Sequence, residues 1–256
     1  MCHLDIPRSV REAEPVIIHS AVPPHALAHA AERGLDIAVP CVAQRYNASI
    51  AEHPSLRPVE TFGHATTSAL LIGNTRSLWP ALKRAVAEAP SRLAADPVDR
   101  HVEATVAALQ EAIPARSKVY FSHVMGDAMV SMLHAAEASG FADRGPAHLA
   151  VHPVYGPWFA IRALLIIDRP AADEPRPSPQ LCASCSAPCA QALMAAMQLT
   201  ESAHIDTGLG PNWRAWLAIR DACPIGHDAR YSDEQIRYHY ALDDSKLRPP
   251  PAEDDA

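Results

Sequence analysis

The chain has 256 residues, of which 48% are hydrophobic, so it can bury a sizeable core as one large domain. Its longest apolar runs, such as "ALLIG" and "ALLIID", are far short of the roughly 20 residues that a spanning helix needs, and the start "MCHLDIPRS" has no apolar signal core. The net charge of −7, without a basic stripe, argues against a nucleic-acid surface. We therefore expect a cytoplasmic protein that binds neither nucleic acid nor membrane.

The first quarter of the chain gives a poor structural signal. Residues 1 to 60 alternate short apolar patches with proline, histidine and asparagine, which favours short strands and loops over long helices. The signal then improves, because residues 69 to 72 form a β-like run that Gly73 and Asn74 interrupt. Ser77 is predicted to open an amphipathic helix directly afterwards.

The segment "DPVDRHVEATVAALQEAIP" carries helix signals at both ends. Asp96 is predicted to cap the helix, Pro97 suits its first position, and Asp99 adds an acidic side chain to the first turn. Pro114 follows the end. This is the most clearly marked helix of the sequence.

The remaining elements follow in order. The pattern predicts a strand in "SKVYFSHV", a helix in "GDAMVSMLHAAEASG" that Gly140 closes, and a second strand in "HPVYGPWFAIRALLII". A Pro-rich connection and a group of cysteines come next. Two further helices are predicted in "NWRAWLAIRDA" and "YSDEQIRYHYAL", the latter with Ser232 and Gln235 at capping-box spacing.

Strands and helices are mixed without a regular βαβ alternation or a Gly-rich phosphate loop. This favours an α+β fold, in which helices flank an antiparallel sheet, over a doubly wound fold. We expect a single domain over residues 1–240 with a Cys-rich insertion at about 170–195. The end of the chain, 247–256, has the composition of a disordered tail.

Arg162 stands in the middle of an otherwise apolar strand, which is therefore expected to be central in the sheet. Leaving its charge unpaired there would cost several kcal/mol. One explanation is a buried pair with an acidic side chain or a position near the strand's edge. The other is a ligand pocket in which Arg162 receives a carboxylate or phosphate. Strict alternation predicts two faces: Trp158, Ala160, Arg162, Leu164 and Ile166 on one, and Phe159, Ile161, Ala163, Leu165 and Ile167 on the other.

Four cysteines form a candidate metal site. "CASCSAPC" supplies Cys182, Cys185 and Cys189, and "ACPIG" supplies Cys223. In a cytosolic protein such a group favours metal or cluster ligands over a disulfide framework. Zinc bound by four thiolates and an iron–sulfur cluster both remain open, since Cys223 lies 34 positions beyond Cys189.

Several motifs together resemble one known family. "HPVYGPWFAIRALLI", "NWRAWLAIRDA" and "RYSDEQIRYHY" resemble, in this order, motifs of the cobalamin-processing MMACHC (CblC) family. The earlier segments "SALLIGNTRSLWPALKRAV" and "DPVD" also match that family in order and spacing. The likeness covers residues 60–246, and the cysteine group is an addition to it.

The resemblance implies a flavin-nitroreductase-like fold that binds cobalamin and removes its upper axial ligand. Alkyl groups would pass to the thiolate of glutathione or another low-molecular-weight thiol. Cyanide would leave after reduction by a flavin (FMN or FAD) or by a reductase partner. The cofactor performs the difficult step in such chemistry, while the protein orients the reactants and excludes water.

The resemblance also implies residue roles. Arg162, Arg220 and Lys246 correspond to basic positions that hold the thiol, and Lys246 stands where the family has arginine, which weakens bidentate recognition. The side chains expected to face the corrinoid are Tyr155, Trp158, Ile161 and Tyr231. For Trp158 and the two tyrosines a purely structural role is the alternative.

A fainter likeness to epoxyqueuosine reductases and reductive dehalogenases keeps two alternatives open. One is a corrinoid- and iron–sulfur-dependent reductase that acts on a separate substrate. The other is a non-enzymatic cobalamin chaperone in which the cysteines hold structural zinc.

Overall fold

The computed structural model describes residues 21–126, 129–174, 176–200 and 210–247. The helices of these ranges are α1 (Pro24–Glu32), α2 (Ala43–Ser49), α3 (Leu78–Glu88), α4 (Pro97–Glu111), α5 (Met132–Ala138), α6 (Pro188–Thr200), α7 (Trp213–Asp221) and α8 (Asp233–Ala241). The strands are β1 (Ile37–Val42), β2 (Thr67–Asn74), β3 (Ser117–Phe121), β4 (Asp143–Arg144), β5 (Ala150–Val151) and β6 (Ala160–Pro170).

The main sheet has the strand order β1-β2-β6-β3, and all neighbours are antiparallel. The eleven-residue strand β6 lies between β2 and β3, which confirms the prediction that the strand carrying Arg162 is central. Strands β4 and β5 form a separate two-stranded ribbon. The predicted α+β class is therefore correct.

Helices cover both faces of the sheet, because both faces of β2 and β6 are apolar. On the first face, buried side chains of α1, α3 and α4 pack against Leu70, Leu165 and Ile167. On the second face, side chains of α2 and α5 pack against Leu71 and Ile166. The structure thus has a sheet between two helical layers.

A β-bulge at Arg162 changes the predicted alternation of β6. Ile72 of β2 lies opposite Ala163 and Gly73 lies opposite Ile161, so Arg162 is the extra residue. Ile161 consequently packs on the second face together with Leu164 and Ile166, and the prediction that it shares a face with Ala163 was wrong. Strict period-two alternation assumes one-to-one pairing, which a bulge breaks.

The predicted elements of the first half are partly confirmed. Pro97 begins α4 and Asp99 lies in its first turn, as expected. Asp96, however, adopts a left-handed conformation (φ 45°), and its side chain makes no capping hydrogen bond. Gly73 and Asn74 are the last two residues of strand β2 rather than a break before its end. Ser77 does precede α3, but its side chain forms no cap bond.

Two helical regions were not expected from the sequence. Residues 21–60 contain α1 and α2 beside β1, so the interpretation as strands and loops was wrong for that part. Helix α6 begins at Pro188 and includes Cys189, within the stretch interpreted as a cysteine-rich insertion. Helices α1 and α6 are rich in alanine and each begins at a proline, which suits the first helical position, whereas α2 begins at Ala43.

The last helix, α8, begins as predicted. The hydroxyl oxygen of Ser232 accepts a hydrogen bond from the backbone N–H of Gln235 at 3.2 Å. The side chain of Gln235 does not complete the reciprocal half of the capping box, since it is fully buried. Leu247, the first residue of the predicted disordered tail, is buried against the first face; residues 248–256 lie outside the described part of the chain.

The loops before β6 and after α7 cross at two glycines. Gly156 (φ 54°) and Gly226 (φ 82°) both have backbone conformations that favour glycine. A Cβ at Gly156 would overlap the carbonyl of Ile225, and one at Gly226 would overlap the backbone of Tyr155. The crossing therefore requires glycine on both sides, and it fixes the segment before Trp158 against the loop after Cys223.

Within the described ranges, no helix combines the length and the apolarity needed to cross a bilayer.

Candidate functional site

Arg162 is held by a neutral partner rather than an acid. Its Nε donates a hydrogen bond to Oδ1 of Asn74, which is fully buried, at 2.7 Å. Burial lowers the pKa of the guanidinium, while Asp99 on α4 and two tyrosines oppose this at longer range. In the described ranges Arg162 forms no salt bridge, so the buried ion pair considered from the sequence is not what the structure shows.

Arg220, near the end of α7, is also held by neutral groups. Its Nη1 donates to the carbonyl oxygen of Pro157 and, at 3.5 Å, to that of Phe159. Burial raises the pKa of the nearby Tyr240, and the positive charge of Arg220 partly opposes this. The guanidinium carbon lies 5.9 Å from the ring centre of Trp158, a cation–π distance. No ion pair of the described residues includes Arg220.

Four polar side chains belong to the same region as the two arginines, three of them buried and His239 partly buried. Trp158 packs edge-on against Tyr231 at 5.6 Å, and Tyr231 lies 6.0 Å from the ring of His239. Gln235 precedes His239 by four residues, so the two share one face of α8. We call this set the arginine cluster; its members are Arg162, Arg220, Trp158, Tyr231, Gln235 and His239.

The arginine cluster contains polar atoms that lack partners. Among the described residues, the indole N–H of Trp158, the hydroxyl of Tyr231, both amide atoms of Gln235 and Nε2 of His239 are buried without a hydrogen-bond partner. Each such atom typically costs about 1–3 kcal/mol. A set of unpartnered donors and acceptors beside two cations is typical of a binding site for a polar, anionic ligand.

The electrostatics of the cluster favour negative charge. Burial, together with repulsion from Arg162 and Arg220, lowers the pKa of His239 to about 3, so this imidazole is neutral at pH 7. Burial raises the pKa of Tyr231, which the two arginines partly oppose. The described cluster thus holds two positive charges and no negative one.

The neutral His239 predicts a pH dependence of stability. Its folded-state pKa lies below the ordinary value of 6.5, so the unfolded chain binds more protons and the free energy of unfolding falls as pH drops below about 6.5. Between pH 7 and pH 5 we expect His239 alone to remove about 2 kcal/mol. Urea unfolding at pH 7 and pH 5 measures the fall in the free energy of unfolding. This fall should be about 2 kcal/mol smaller in His239→Gln than in the wild type. A control variant of the exposed His25 should show the same fall as the wild type. An equal loss in wild type and H239Q would contradict the assignment.

The side chains expected to face a corrinoid divide into two groups. Trp158 (0% exposed) and Tyr231 pack together in the arginine cluster. Tyr155 and Ile161 lie in the core of the second face. Lys246 is exposed. Hydrogen bonds from Trp79 and Lys83 lower the pKa of Glu234 on α8, and the charge of Lys246 adds a smaller contribution.

The loop before Trp158 is shaped by His152. Its Nδ1 accepts hydrogen bonds from the backbone N–H groups of Val154 and Tyr155, and its ring stacks on Tyr155 at 4.6 Å. Burial lowers the pKa of His152 to about 4, which keeps Nδ1 available as an acceptor. His152 therefore has a structural role in this loop.

The four candidate metal ligands lie together, although they come from three parts of the chain. Cys182 and Cys185 occupy a turn before α6, Cys189 lies in its first turn, and Cys223 follows α7. All four line one cavity of about 20 Å³. Burial raises the pKa of Cys182 to about 11, with further contributions from Asp143 and the other three thiols.

Asp143 of β4 holds the turn that carries the first two cysteines. Its carboxylate accepts hydrogen bonds from the backbone N–H groups of Gln180 and Leu181 and from the hydroxyl of Ser178. All four described cysteines of the group are free thiols. Among the described residues, no three or more His, Cys, Asp or Glu side chains are arranged so that they could bind a metal ion together.

Sequence reasoning missed three residues of the site. Asn74 was interpreted as a strand breaker, Gln235 as a cap residue, and His239 was not singled out. The i, i+4 spacing of Gln235 and His239 was the available signal, because it places both on one helix face. Nothing in the sequence pairs Asn74 with Arg162, which depends on the register of β2 against β6.

Comparisons with known proteins support the fold. The chain is similar to the crystal structure of the C. elegans B12-trafficking protein CblC, a human MMACHC homologue, with 18% identity and a TM-score of 0.58 over 88% of this chain and 90% of that one. It also matches epoxyqueuosine reductase from Bacillus subtilis, with 16% identity and a TM-score of 0.46 over 81% of this chain and 66% of that chain. The first likeness confirms the predicted nitroreductase-like fold. No protein-family model and no curated protein matches the chain.

Proposed function

We propose that this chain is a cobalamin-processing enzyme that transfers the upper alkyl ligand of the corrinoid to a thiol held by Arg162 and Arg220. Two observations support the proposal. The fold is that of a B12-trafficking protein. The arginine cluster combines two cations without acidic partners and several unpartnered buried polar atoms, as an anionic cosubstrate would require.

In the proposed reaction the thiolate sulfur attacks the alkyl carbon bound to cobalt. A sulfur–carbon bond forms and the cobalt–carbon bond breaks, with both electrons of the broken bond remaining on cobalt. Co(III) is thereby reduced to Co(I), and the proton of the original thiol passes to solvent. Thiolate is the nucleophile, so fixed positive charge near the sulfur favours the reactive form.

The two guanidinium groups would act by binding and orienting the cosubstrate. Glutathione carries two carboxylates, and an arginine binds a carboxylate through two parallel hydrogen bonds. Arg162 and Arg220 would each take one, and the free donors of Trp158 and Tyr231 would satisfy further oxygens. This arrangement orients the sulfur and thereby lowers the entropic part of the barrier.

The proposal also assigns roles to Lys246, Tyr155 and Ile161 and includes the removal of cyanide. Lys246 would attract the acidic thiol from the surface, since a flexible ammonium acts as a point charge. Tyr155 and Ile161 would support the corrinoid from the second face. Removal of cyanide would need an added electron donor, such as a reduced flavin or a reductase, because the thiol reaction above applies to alkyl ligands.

The test is to incubate the purified chain with methylcobalamin and glutathione without oxygen. We expect the visible spectrum to change as the methyl group leaves and S-methylglutathione to form in equal amount to the cobalamin consumed. Cysteamine, a thiol without carboxylates, should react at least about 10-fold more slowly, because it cannot engage the guanidinium groups.

One outcome of this experiment would contradict the proposed enzymatic activity. Bound methylcobalamin whose spectrum stays unchanged with every thiol and reductant would refute the enzymatic proposal. That result would leave a cobalamin carrier.

A further inference from the structure

Four cysteines enclose one small cavity behind the arginine cluster. Beside Cys182, Cys185, Cys189 and Cys223, the cavity is lined by apolar side chains and backbone, among them Ala147, Val151 and Ile219. Cys223 is buried, and the other three are partly buried. The four cysteines come from the turn before α6, the start of α6 and the segment after α7. They line a cavity whose other lining side chains are all non-polar.

The four cysteines line one cavity although they come from separate parts of the chain. In the turn, the backbone N–H of Cys185 donates to the carbonyl of Cys182 at 3.3 Å, which directs two thiols three residues apart to one side. Cys189 follows one turn later, and α6 packs against α7, whose end carries Cys223. Within the described residues the four thiols are not arranged as a group that could hold a metal ion, so metal binding would require the sulfur atoms to rearrange.

We infer that these four cysteines bind one thiolate-ligated metal centre, either a single zinc ion or an iron–sulfur cluster. Four cysteine sulfurs can hold either centre, and both occur with a Cys-x-x-Cys pair and two more distant ligands. A group of four small apolar side chains would fill such a space without requiring sulfur, so packing alone does not account for the residue type.

The centre would also position Arg220, a consequence that rests on the proposed function. Pro157 lines the cysteine cavity, and its carbonyl accepts the hydrogen bond of Arg220. The backbone N–H of Cys223 donates to the carbonyl of Arg220 at 3.1 Å. A metal centre that links Cys223 to the turn before α6 would therefore fix the end of α7, which carries Arg220.

The test uses the full chain purified without oxygen and analysed for zinc, iron and acid-labile sulfide, before and after reconstitution with Zn²⁺ alone or with Fe²⁺ and sulfide. We expect about one zinc, or about four iron with four sulfide, per chain. The double variant Cys185→Ser/Cys189→Ser should lose the metal. Cys41→Ser, which changes a thiol outside the cavity, should keep it.

A spectroscopic readout keeps the inference testable if the double variant folds poorly. Cd²⁺ added to the metal-free wild-type chain should produce the ultraviolet absorption of a cadmium–thiolate complex, saturating at one ion. Failure of every metal to bind stoichiometrically, or two disulfides in the reduced preparation, would overturn the inference. None of these measurements uses cobalamin, so they are independent of the test of dealkylation.

Discussion

Replacing Arg162 by methionine should lower the rate of methyl transfer from methylcobalamin to glutathione by about 100-fold, while cobalamin binding is retained. Truncating one partner of a buried, charge-assisted contact typically costs 2–5 kcal/mol, and about 3 kcal/mol corresponds to that factor. The same substitution should leave the free energy of unfolding unchanged or raise it, because Arg162 is a partly buried cation held by a neutral amide. Activity and stability are thus expected to move in opposite directions.

The controls separate a thiol site from a structural role. Arg169→Met changes an exposed arginine of the same strand and should have no effect on the rate. With cysteamine in place of glutathione, R162M and wild type should react at similar rates, since no carboxylate is then bound. Arg220→Met should repeat the glutathione defect. A loss of stability in R162M, with equal rate losses for both thiols, would show that Arg162 supports the fold rather than the cosubstrate.

Substituting Gly226 by alanine should prevent stable folding or cost about 4 kcal/mol or more. The added Cβ would overlap the backbone of Tyr155, and backbone atoms of the crossing loop have no room to move away. Because the crossing joins the segment before Trp158 to the loop after Cys223, we expect the arginine cluster and the cysteine cavity to be disturbed together. Thermal unfolding followed by circular dichroism gives the measurement.

Gly63 provides the matched control for this prediction. Its φ of 80° is nearly the same as that of Gly226, but a Cβ there would meet nothing within 4 Å. Gly63→Ala should therefore cost only the conformational strain, about 1 kcal/mol. Equal destabilisation of the two variants would show that strain, and not the loop crossing, determines the effect at Gly226.

The parts of the fold that follow local rules could be predicted from the sequence. Helix α4 was recognised because Pro97 and Asp99 mark its first turn, and the central position of β6 followed from apolar residues on both of its faces. Helix α6 was missed because its start at Pro188 lies inside a stretch dominated by proline and cysteine. The bulge at Arg162 could not be predicted, because it depends on how β2 pairs with β6 and not on β6 itself.

The same distinction applies to the site. Arg162 drew attention from the sequence alone, since a charge in a buried strand conflicts with its surroundings and such conflicts are common at functional sites. Its neutral partner Asn74 could not be predicted, because it depends on the register of β2 against β6. The unpartnered atoms of Gln235 and His239 could not be predicted either, because they depend on how α8 packs against Trp158 and α7. The spacing of the cysteines in the sequence was enough to predict that they act together. The structure adds that Cys223 lines the same cavity as the other three.

Titration of methylcobalamin with the purified full-length chain, followed by visible absorption, tests the central claim most directly. We expect saturable binding with the spectral change that accompanies release of the lower axial base from cobalt. If neither methylcobalamin, cyanocobalamin nor hydroxocobalamin binds to the folded protein, with the base coordinated or released, the proposed role in cobalamin processing is wrong.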